Sequence, residues 1–380
     1  MQKLFDKIES LENEYIEFLV DICNIESPSD YKKGVDAVGE YICEKARNLG
    51  WEIEIQKQQV SGDCICITMN PEIAEKPIVF SGHMDTVHPV GLFGTPPVRI
   101  ENDKIYGPGV VDCKGGIVAA FFAMRVLNYC GFKGRPIKLI LQSDEEVSSA
   151  TSNKTTVSFM AEKSKGCIGF LNCEGYTEGY ATVKRKGISK YLFEVTGKAA
   201  HSGVCYNGIS AIAEAAQKIL EFEKYKNPEG ITFNCGTING GTVPNTVPEK
   251  CDFAVDIRFS TKEEMEEADK IVEKVSKKSY LAGTTCKATL LSRRVPMEIK
   301  DDNLKLLEKI NEIFTENNMP TLLKNSSNGG SDASDISSYG IPCVDSIGVR
   351  GGAIHNKGEF VYKNSIAEAA KRLLVIAYCI

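Results

Sequence analysis

Hydrophobic and polar positions near the N-terminus repeat with two different periods, and each period predicts a different secondary-structure element. Apolar residues recur about every three to four positions over residues 4–25 and 31–49, which predicts two amphipathic helices. Ser29 or Asp30 is the expected N-cap of the second helix. Residues 51–68 instead alternate between apolar and polar side chains, which predicts a β-hairpin.

Four short apolar runs farther along the chain are nearly continuous rather than alternating. Such runs are typical of strands that are buried on both faces of a mostly parallel sheet. Helical patterns over residues 116–129 and 304–315 lie between them, so the sequence predicts an α/β fold with helices flanking the sheet. The four runs are residues 77–80, 137–141, 167–171 and 342–344.

The stretch from residue 183 to residue 294 has a different order of elements. Its patterns read strand, helix, strand, strand, helix, strand, which is the ferredoxin-like βαββαβ plan. We therefore predict that residues 183–294 form a smaller domain inserted into a larger one made of residues 1–182 and 295–380. The predicted elements of the insertion are strands at 188–195, 231–238, 251–259 and 286–291 and helices at 210–225 and 262–280.

Composition and charge exclude several classes of protein. The net charge is −6 and no basic stretch occurs, so we expect no nucleic-acid partner. No apolar run is long enough to span a membrane, and the first residues are charged from Lys3 onward, unlike a secretory signal. The 14 cysteines lack the paired spacing of a zinc site. We expect a cytoplasmic protein with reduced cysteines.

Imidazole and carboxylate side chains follow the predicted parallel strands where each strand ends. The chain has only 4 histidines, so their position at such ends is informative. Ligands of open α/β sheets bind beyond the carboxyl ends of the strands, and we expect these side chains to converge there. The residues are His83, Asp85, Asp144, Glu145, Glu146, Glu174 and His355, together with Asp112 from a glycine-rich turn.

Charge indicates what such a cluster would bind. Asp112, Glu146 and Glu174 in one poorly solvated cleft would be neighbouring anions, and like charges so placed destabilise a fold. Two divalent cations with one hydroxide would neutralise them. Imidazole and carboxylate ligands suit zinc, with cobalt or manganese as substitutes. Two metal ions about 3.5–4 Å apart need a bridging carboxylate, and Asp112 is the best candidate.

Each of these residues, taken alone, also fits an ordinary structural role. Glu145 and Glu146 could begin a solvated helix, Asp112 could cap one, and Glu174 could belong to a turn. Their shared position at strand ends favours a site. We interpret His88 as a loop residue near the mouth of that site and not as a metal ligand.

Nine motifs occur in order and cover nearly the whole chain. They are SGHMDTVHPVG, GPGVVDCKGG, SDEEVSS, NCEG, GKAAHSG, GGTVPNTVP, DIRF, GGSDASD and GVRGGAIHNKGEFV. The chain resembles the co-catalytic zinc peptidases that include glutamate carboxypeptidase, acetylornithine deacetylase and succinyl-diaminopimelate desuccinylase, with the greatest similarity to the glutamate carboxypeptidase branch. The resemblance implies a zinc-binding catalytic domain with an inserted lid and dimerisation domain.

The resemblance also implies a role for each residue of the predicted site. Asp85 would orient the imidazole of His83, and Glu145 would be the general base. The peptide bond that follows Asp112 would be cis. The implied ligands are His83 and Glu174 for one Zn²⁺, Glu146 and His355 for the other, and Asp112 as the bridge.

The inserted domain would supply further site residues and the contact of a homodimer. By resemblance, His201 would enter the partner's active site and polarise the scissile carbonyl, while Asn245 and Arg258 would hold a substrate carboxylate. Arginine is well shaped for that contact. Arg258 nevertheless lies on an alternating strand, where a surface charge is the ordinary interpretation.

The implied activity is zinc-dependent, carboxypeptidase-like hydrolysis of an amide bond in a small peptide or N-acyl amino acid, with metal-bound hydroxide as the nucleophile. Two alternatives stay open, namely a deacylase of the acetylornithine deacetylase type and a catalytically silent homologue that binds peptides. The chain departs from the family pattern after Val147, where Ser148 and Ser149 follow and the family usually has Gly-Ser. Arg350 either adds an anion contact or faces solvent.

Overall fold

The computed structural model describes residues 1–380, which form ten α-helices and 18 strands. A short 3₁₀ segment also occurs at Ser202–Asn207. The helices are α1 Gln2–Glu9, α2 Glu12–Asn24, α3 Lys32–Arg47, α4 Lys114–Tyr129, α5 Thr155–Ser164, α6 Ala211–Glu223, α7 Lys262–Lys277, α8 Asp301–Glu316, α9 Asp332–Ser338 and α10 Lys363–Cys379. The strands are β1 Glu52–Gln56, β2 Cys64–Met69, β3 Ile78–His83, β4 Arg99–Glu101, β5 Lys104–Tyr106, β6 Ile137–Gln142, β7 Gly169–Asn172, β8 Tyr180–Arg185, β9 Gly187–Thr196, β10 Ala200–His201, β11 Thr232–Gly240, β12 Thr246–Val247, β13 Lys250–Phe259, β14 Thr285–Arg294, β15 Leu323–Ser327, β16 Cys343–Val344, β17 Gly351–Gly352 and β18 Phe360–Tyr362.

The chain divides into two compact units by its internal contacts. The boundaries after Lys184 and Glu298 lie beside those that the sequence predicts, after residues 182 and 294. A short return segment, Ser327–Gly330, also groups with the second unit, because Arg185 donates to the carbonyl oxygen of Gly329 and to the hydroxyl of Ser327. The first unit is Met1–Lys184, Ile299–Ser326 and Ser331–Ile380, and the second is Arg185–Glu298 and Ser327–Gly330.

The first unit is built around a six-stranded sheet whose order is β1-β2-β6-β3-β7-β16. Strands β6, β3, β7 and β16 are parallel to one another, while β1 and β2 form an antiparallel hairpin that pairs antiparallel with β6 at one edge. All four continuous apolar runs therefore become neighbouring parallel strands. This confirms the predicted α/β class.

The strands of this sheet are apolar on both faces because helices cover both. Every residue of β2, β3 and β7 is buried. Helix α4 packs on β3 and β6, α5 packs on β2 and β6, and α9 packs on β7 and β16. Helix α4 has few polar residues because it also packs against α10 and α2.

Two details of the first helices differ from the prediction. The single helix predicted over residues 4–25 is two helices, α1 and α2, with a turn at Ser10 and Leu11. This turn places the side chain of Leu11 in the core, where the residue is 5% exposed. The N-cap of α3 is Tyr31, and the Ser29 hydroxyl instead donates to the carboxylate of Asp85 at 2.6 Å.

The second unit contains a four-stranded antiparallel sheet in the order β11-β13-β9-β14. Helices α6 and α7 pack on this sheet and on each other, which confirms the predicted βαββαβ insertion. Within α6, Glu214 and Lys218 form a buried ion pair whose atoms are 3.1 Å apart. Lys218 also donates to the backbone carbonyl of Val275 near the end of α7, and this bond joins the two helices.

All 14 cysteines are free thiols, including the alternating Cys64 and Cys66 of β2, which are both buried. None of the helices has the length and apolar character needed to cross a membrane.

Candidate metal centre

The carboxyl ends of three adjacent parallel strands bring the first group of predicted ligands together. Strand β3 ends at His83, which is in register with Gln142 at the end of β6. The chain continues from β6 to Glu146 and from β7 to Glu174. Because the three strands are neighbours and parallel, their carboxyl ends lie at one edge of the sheet.

A second, smaller sheet brings in the other two predicted ligands. Asp112 lies in the loop that follows β5, and His355 lies in the loop that precedes β18. Strands β5 and β18 are antiparallel, with Phe360 opposite Tyr106. Their pairing brings the two loops together, although the residues are far apart in sequence.

Asp112 lies at the centre of the cluster and points its two carboxylate oxygens at different imidazoles. Its Oδ1 is 3.1 Å from Nε2 of His83, and its Oδ2 is 3.2 Å from Nε2 of His355. His83 Nε2 is also 3.6 Å from Oε1 of Glu174, and His355 Nε2 is 3.2 Å from Oε2 of Glu146. The five residues thus form two groups, each with one imidazole and one carboxylate of its own, that share Asp112.

The surroundings of both imidazoles favour positive charge. Hydrogen bonds with Asp112 and Glu146 raise the pKa of His355 to about 10. Burial acts to lower the pKa of His83, but Cys113 and Asp112 outweigh burial and raise that pKa well above its usual value. The cluster therefore attracts cations.

The carboxylates of the cluster are crowded. Burial, and then the charge of Asp112, raises the pKa of Glu174 well above its usual value. Burial also raises the pKa of Glu146, again with a contribution from Asp112. The pKa of Asp112 itself is lowered, because its hydrogen bonds to the two imidazoles outweigh the effect of burial. Metal ions bound here would replace protons that otherwise relieve this repulsion.

Asp85 orients the imidazole of His83. The Nδ1 of His83 donates to the backbone carbonyl of Asp85 at 2.9 Å, while the Asp85 carboxylate is farther away, at 3.4 Å. Because this bond keeps a proton on Nδ1, Nε2, which faces Asp112, is the nitrogen that a metal ion would bind after displacing its proton. The resemblance implied that the Asp85 side chain orients His83. In the structure, the nearer acceptor is instead the backbone carbonyl of Asp85.

The Asp85 carboxylate holds the loop that carries the two glutamates. It accepts hydrogen bonds from the backbone N–H groups of Glu145 and Glu146, both at 3.1 Å, and from Ser29. The charge of Glu145 contributes to the raised pKa of Glu174, so these carboxylates are neighbours. Two residues after Glu146, Ser148 has a φ of 57°, a conformation that favours the glycine usual at this position of the motif.

The structure adds one residue to the cluster that the sequence analysis did not select. The thiol of Cys113 and the ligand atoms of His83 and Glu174 all lie within 4.8 Å of one another. The same is true of the ligand atoms of His83, Asp112 and Glu146. The backbone N–H of His83 donates to the Cys113 sulfur at 3.1 Å. The Asp112–Cys113 peptide bond is cis, as the resemblance implied.

His88 lies in a loop and in neither metal group, as interpreted from the sequence, but it is buried instead of lying at the mouth of the site. His88 is only 5% exposed, and its Nε2 is 2.8 Å from the carboxylate of Glu359. The ring of Phe93 packs edge-on against the imidazole, with the centroids 4.9 Å apart. The sequence does not reveal that His88 and Glu359 form a pair, because they are 271 positions apart.

The profile of peptidase family M20/M25/M40 matches residues 79–378, which include every residue of the cluster. The chain belongs to this family. It is therefore a hydrolase of the metallopeptidase and amidohydrolase class.

Individual relatives agree with this membership. The chain is 27% identical over 373 residues to carboxypeptidase G2 from Pseudomonas sp. (strain RS-16), covering 95% of this chain and 87% of the relative. It is 26% identical over 289 residues to succinyl-diaminopimelate desuccinylase from Rickettsia akari, covering 70% of this chain and 74% of the relative. The fold is similar to that of a tripeptidase from Staphylococcus aureus, with a TM-score of 0.78 at 21% identity over 97% of this chain and 98% of the other.

In this M20 family member, the other three predicted site residues belong to the second unit. His201 is exposed at the end of β10, and Thr246 lies opposite it on β12, next to Asn245. The His201 Nδ1 accepts a hydrogen bond from the backbone N–H of Gly203. Arg258 lies on β13. The roles of His201, Asn245 and Arg258 stay predictions.

Both arginines considered for anion binding are paired within their own units. Arg258 forms two hydrogen bonds with the carboxylate of Asp256, at 2.6 and 3.1 Å. Arg350 likewise forms a two-point contact with Glu368, at 3.1 and 2.8 Å, and also approaches Glu178. Arg350 therefore has a structural partner instead of facing solvent alone.

Proposed function

We propose that the chain is a dizinc hydrolase that cleaves an amide bond in a small peptide or N-acyl amino acid, in the manner of a carboxypeptidase. One observation carries the proposal. The two oxygens of Asp112 face two different imidazoles, each of which is accompanied by a further carboxylate. Such a shared carboxylate is what a pair of metal ions requires.

The residues of the cluster fit zinc in number and type. His83, Asp112 and Glu174 would hold one ion, and His355, Asp112 and Glu146 would hold the other. Nitrogen and oxygen ligands of this kind suit zinc, and cobalt or manganese can replace it. Three mostly buried carboxylates that repel one another supply the negative charge that two cations would neutralise.

Glu145 supplies the acid–base chemistry in this proposal. Bound zinc polarises a carbonyl group and makes water more acidic. Glu145 takes the proton of the attacking water and returns it to the amine that leaves. Asp85 holds the backbone of Glu145 and so keeps this carboxylate beside the cluster.

Residues of the second unit support the proposed substrate class. Asn245 and Arg258 would bind the carboxylate of the leaving amino acid, since a guanidinium contacts a carboxylate at two points. Arg258 already makes that contact with Asp256, so a substrate carboxylate would compete with Asp256. His201 would polarise the scissile carbonyl in the active site of a partner subunit.

We also propose a homodimer that forms through the second unit, and a cytoplasmic location. Strand β11 lies at the edge of its sheet, and Ile238 on it is 52% exposed. Leu220, on the helix α6 that packs against β11, is 57% exposed. An exposed edge strand with apolar side chains favours pairing with a second copy.

The proposed cytoplasmic location is supported by the cysteines, because a chain with 14 cysteines suits a reducing compartment.

A deacylase is the second candidate function. The similarity to succinyl-diaminopimelate desuccinylase supports it, because that name describes removal of an acyl group from an amine. Both activities cleave an amide bond next to a carboxylate. They differ in the group on the carbonyl side of that bond, which is an amino acid residue for a carboxypeptidase and a simple acyl group for a deacylase.

The test is an assay of apo-protein reloaded with Zn²⁺ or Co²⁺ against a panel of dipeptides and N-acyl amino acids. Each substrate is paired with a control in which a carboxamide replaces the C-terminal carboxylate. We expect hydrolysis that chelation abolishes and that about two equivalents of metal restore. Equal rates for the carboxamide controls would contradict carboxylate recognition. Metal-loaded protein that cleaves nothing in the panel would support the silent, peptide-binding homologue.

A further inference from the structure

A buried carboxylate that belongs to neither predicted ligand group lies directly behind the Asp112 loop. Glu359 is 1% exposed, and its side chain contacts the backbone of this loop. A buried carboxylate is costly unless donors surround it. Its partners therefore show what the residue does.

Glu359 accepts four hydrogen bonds. Its Oε1 accepts from the backbone N–H groups of Val111, at 3.0 Å, and Asp112, at 3.1 Å. Its Oε2 accepts from the backbone N–H of Gly109 at 3.1 Å and from Nε2 of His88 at 2.8 Å. Three N–H groups of one loop converge on one carboxylate, an arrangement known as an anion nest.

The same residue is also fixed to the loop of the other imidazole. Glu359 is four positions after His355, and its backbone N–H donates to the carbonyl of Asn356 at 2.9 Å. Its backbone carbonyl accepts from the N–H of Gly107 at 3.2 Å, which continues the β5–β18 ladder. Glu359 therefore joins the loop that carries Asp112 to the loop that carries His355.

We propose that Glu359 is a positioning residue that sets the orientation of Asp112 relative to His355, and that His88 holds Glu359 in place. The inference rests on the proposed dinuclear site. The bridging carboxylate needs both of its oxygens aligned, and its backbone N–H is bonded to Glu359. A rotation of the 109–112 loop would turn one oxygen away from its imidazole.

Three substitutions separate the parts of this arrangement. In Glu359→Gln, an amide NH₂ group faces the N–H of Gly109, so that one buried donor meets another donor. In His88→Phe, the ring is kept but the hydrogen bond to Glu359 is lost. In His88→Gln, an amide N–H takes the position of Nε2 and can still donate.

The matched control is Asp63→Asn. Asp63 is also a buried carboxylate of the first unit that accepts a backbone N–H, here from Gln58 at 2.9 Å. Its other partners are the side chains of Lys32 and Lys57. It bonds to none of the predicted ligands, so its loss reports general destabilisation only.

The experiment is a titration of each apo-protein with Co²⁺, followed by calorimetry and by the visible absorption of the bound ion. We expect Glu359→Gln to weaken binding of at least one Co²⁺ by about 10- to 100-fold and to change the cobalt spectrum. His88→Phe should have a smaller effect in the same direction, and His88→Gln should restore binding close to wild type. Asp63→Asn should bind as wild type does.

The outcomes separate this inference from the proposed function. Wild-type affinity and an unchanged spectrum in Glu359→Gln overturn the positioning role, and so does an equal loss in Asp63→Asn. If Glu359→Gln does not fold, the difference between His88→Phe and His88→Gln decides, and equal binding by those two overturns the role. Wild-type protein that binds no Co²⁺ overturns the proposed function and this inference with it.

Discussion

Asp85 accepts a hydrogen bond from the backbone N–H of Glu145 at 3.1 Å, although the two residues are 60 positions apart. The contact joins the residue after β3 to the residue proposed as general base after β6. Asp85 thus contacts two parts of the cluster, the loop of Glu145 through its carboxylate and His83 through its backbone carbonyl. The position of Glu145 therefore depends on a side chain that belongs to a neighbouring strand.

We expect Asp85→Asn to lower kcat by about 10- to 100-fold, the effect typical of groups that orient metal ligands. The asparagine keeps the shape of the side chain but places an NH₂ group opposite an N–H donor. Steady-state kinetics and metal content measure the effect. Ser29→Ala is the control, because it removes only one of the donors to Asp85. An equal loss in Ser29→Ala would show that general disruption is responsible.

We expect Glu145→Gln to lose about 10²- to 10⁴-fold in kcat, because glutamine cannot accept the proton of the attacking water. The metal content should stay near that of the wild type. Glu162→Gln, a substitution at a largely exposed glutamate of α5, is the control for the change of charge. Turnover that persists in Glu145→Gln would identify another group as the base.

Gly109→Ala should disturb the metal centre as well as stability. The residue has a φ of 76°, and an added Cβ would lie 2.8 Å from Cγ2 of Thr86. Gly179 has a φ of 80° with nothing within 4 Å of the corresponding position. Gly179→Ala should therefore cost only about 1–2 kcal/mol for the left-handed backbone. We expect Gly109→Ala to cost more in urea unfolding and also to weaken Co²⁺ binding, and equal effects would contradict this.

The ion pairs of Asp63 should make stability depend on pH. Burial acts to raise the pKa of Asp63, but hydrogen bonds from Lys32 and Lys57 outweigh it, and the folded pKa lies below the ordinary value of 3.8. The stabilisation is thus present above pH 3.8 and is lost as the pH falls through the lower, folded pKa. A hydrogen bond to a charged group contributes about 1.5–3 kcal/mol, and exposure of Lys57 reduces its share.

Urea unfolding of wild type and Asp63→Asn at several pH values checks this prediction. We expect a difference of about 2 kcal/mol near pH 7 that shrinks once the pH is below 3.8. A difference that stays constant as the pH falls would show that Asp63 stabilises the fold without its charge.

The parts of the fold that the sequence predicts are those with strong local patterns. Continuous apolar runs identify the parallel strands, since only strands buried on both faces have that composition. The break between α1 and α2 was missed, because burial of Leu11 depends on packing rather than on periodicity. The N-cap of α3 was missed because Ser29 bonds to Asp85 instead.

The site was predictable for a related reason. His83, Glu146 and Glu174 follow neighbouring parallel strands, so the topology alone brings them to one edge of the sheet. The contacts of Cys113, His88 and Glu359 were not predicted. Each of them acts through a hydrogen bond to a distant backbone or side chain, and no spacing along the chain marks such a bond.

The sequence by itself determined the class of the fold, the family, and the segments from which the cluster is drawn. Those properties depend on local apolar patterns and on motifs that can be read in one dimension. Only the tertiary structure decided that Asp112 faces two imidazoles and that Glu359 holds its loop. The partners of Glu359 lie about 250 positions away, and the register between β5 and β18 is what places them within hydrogen-bonding distance.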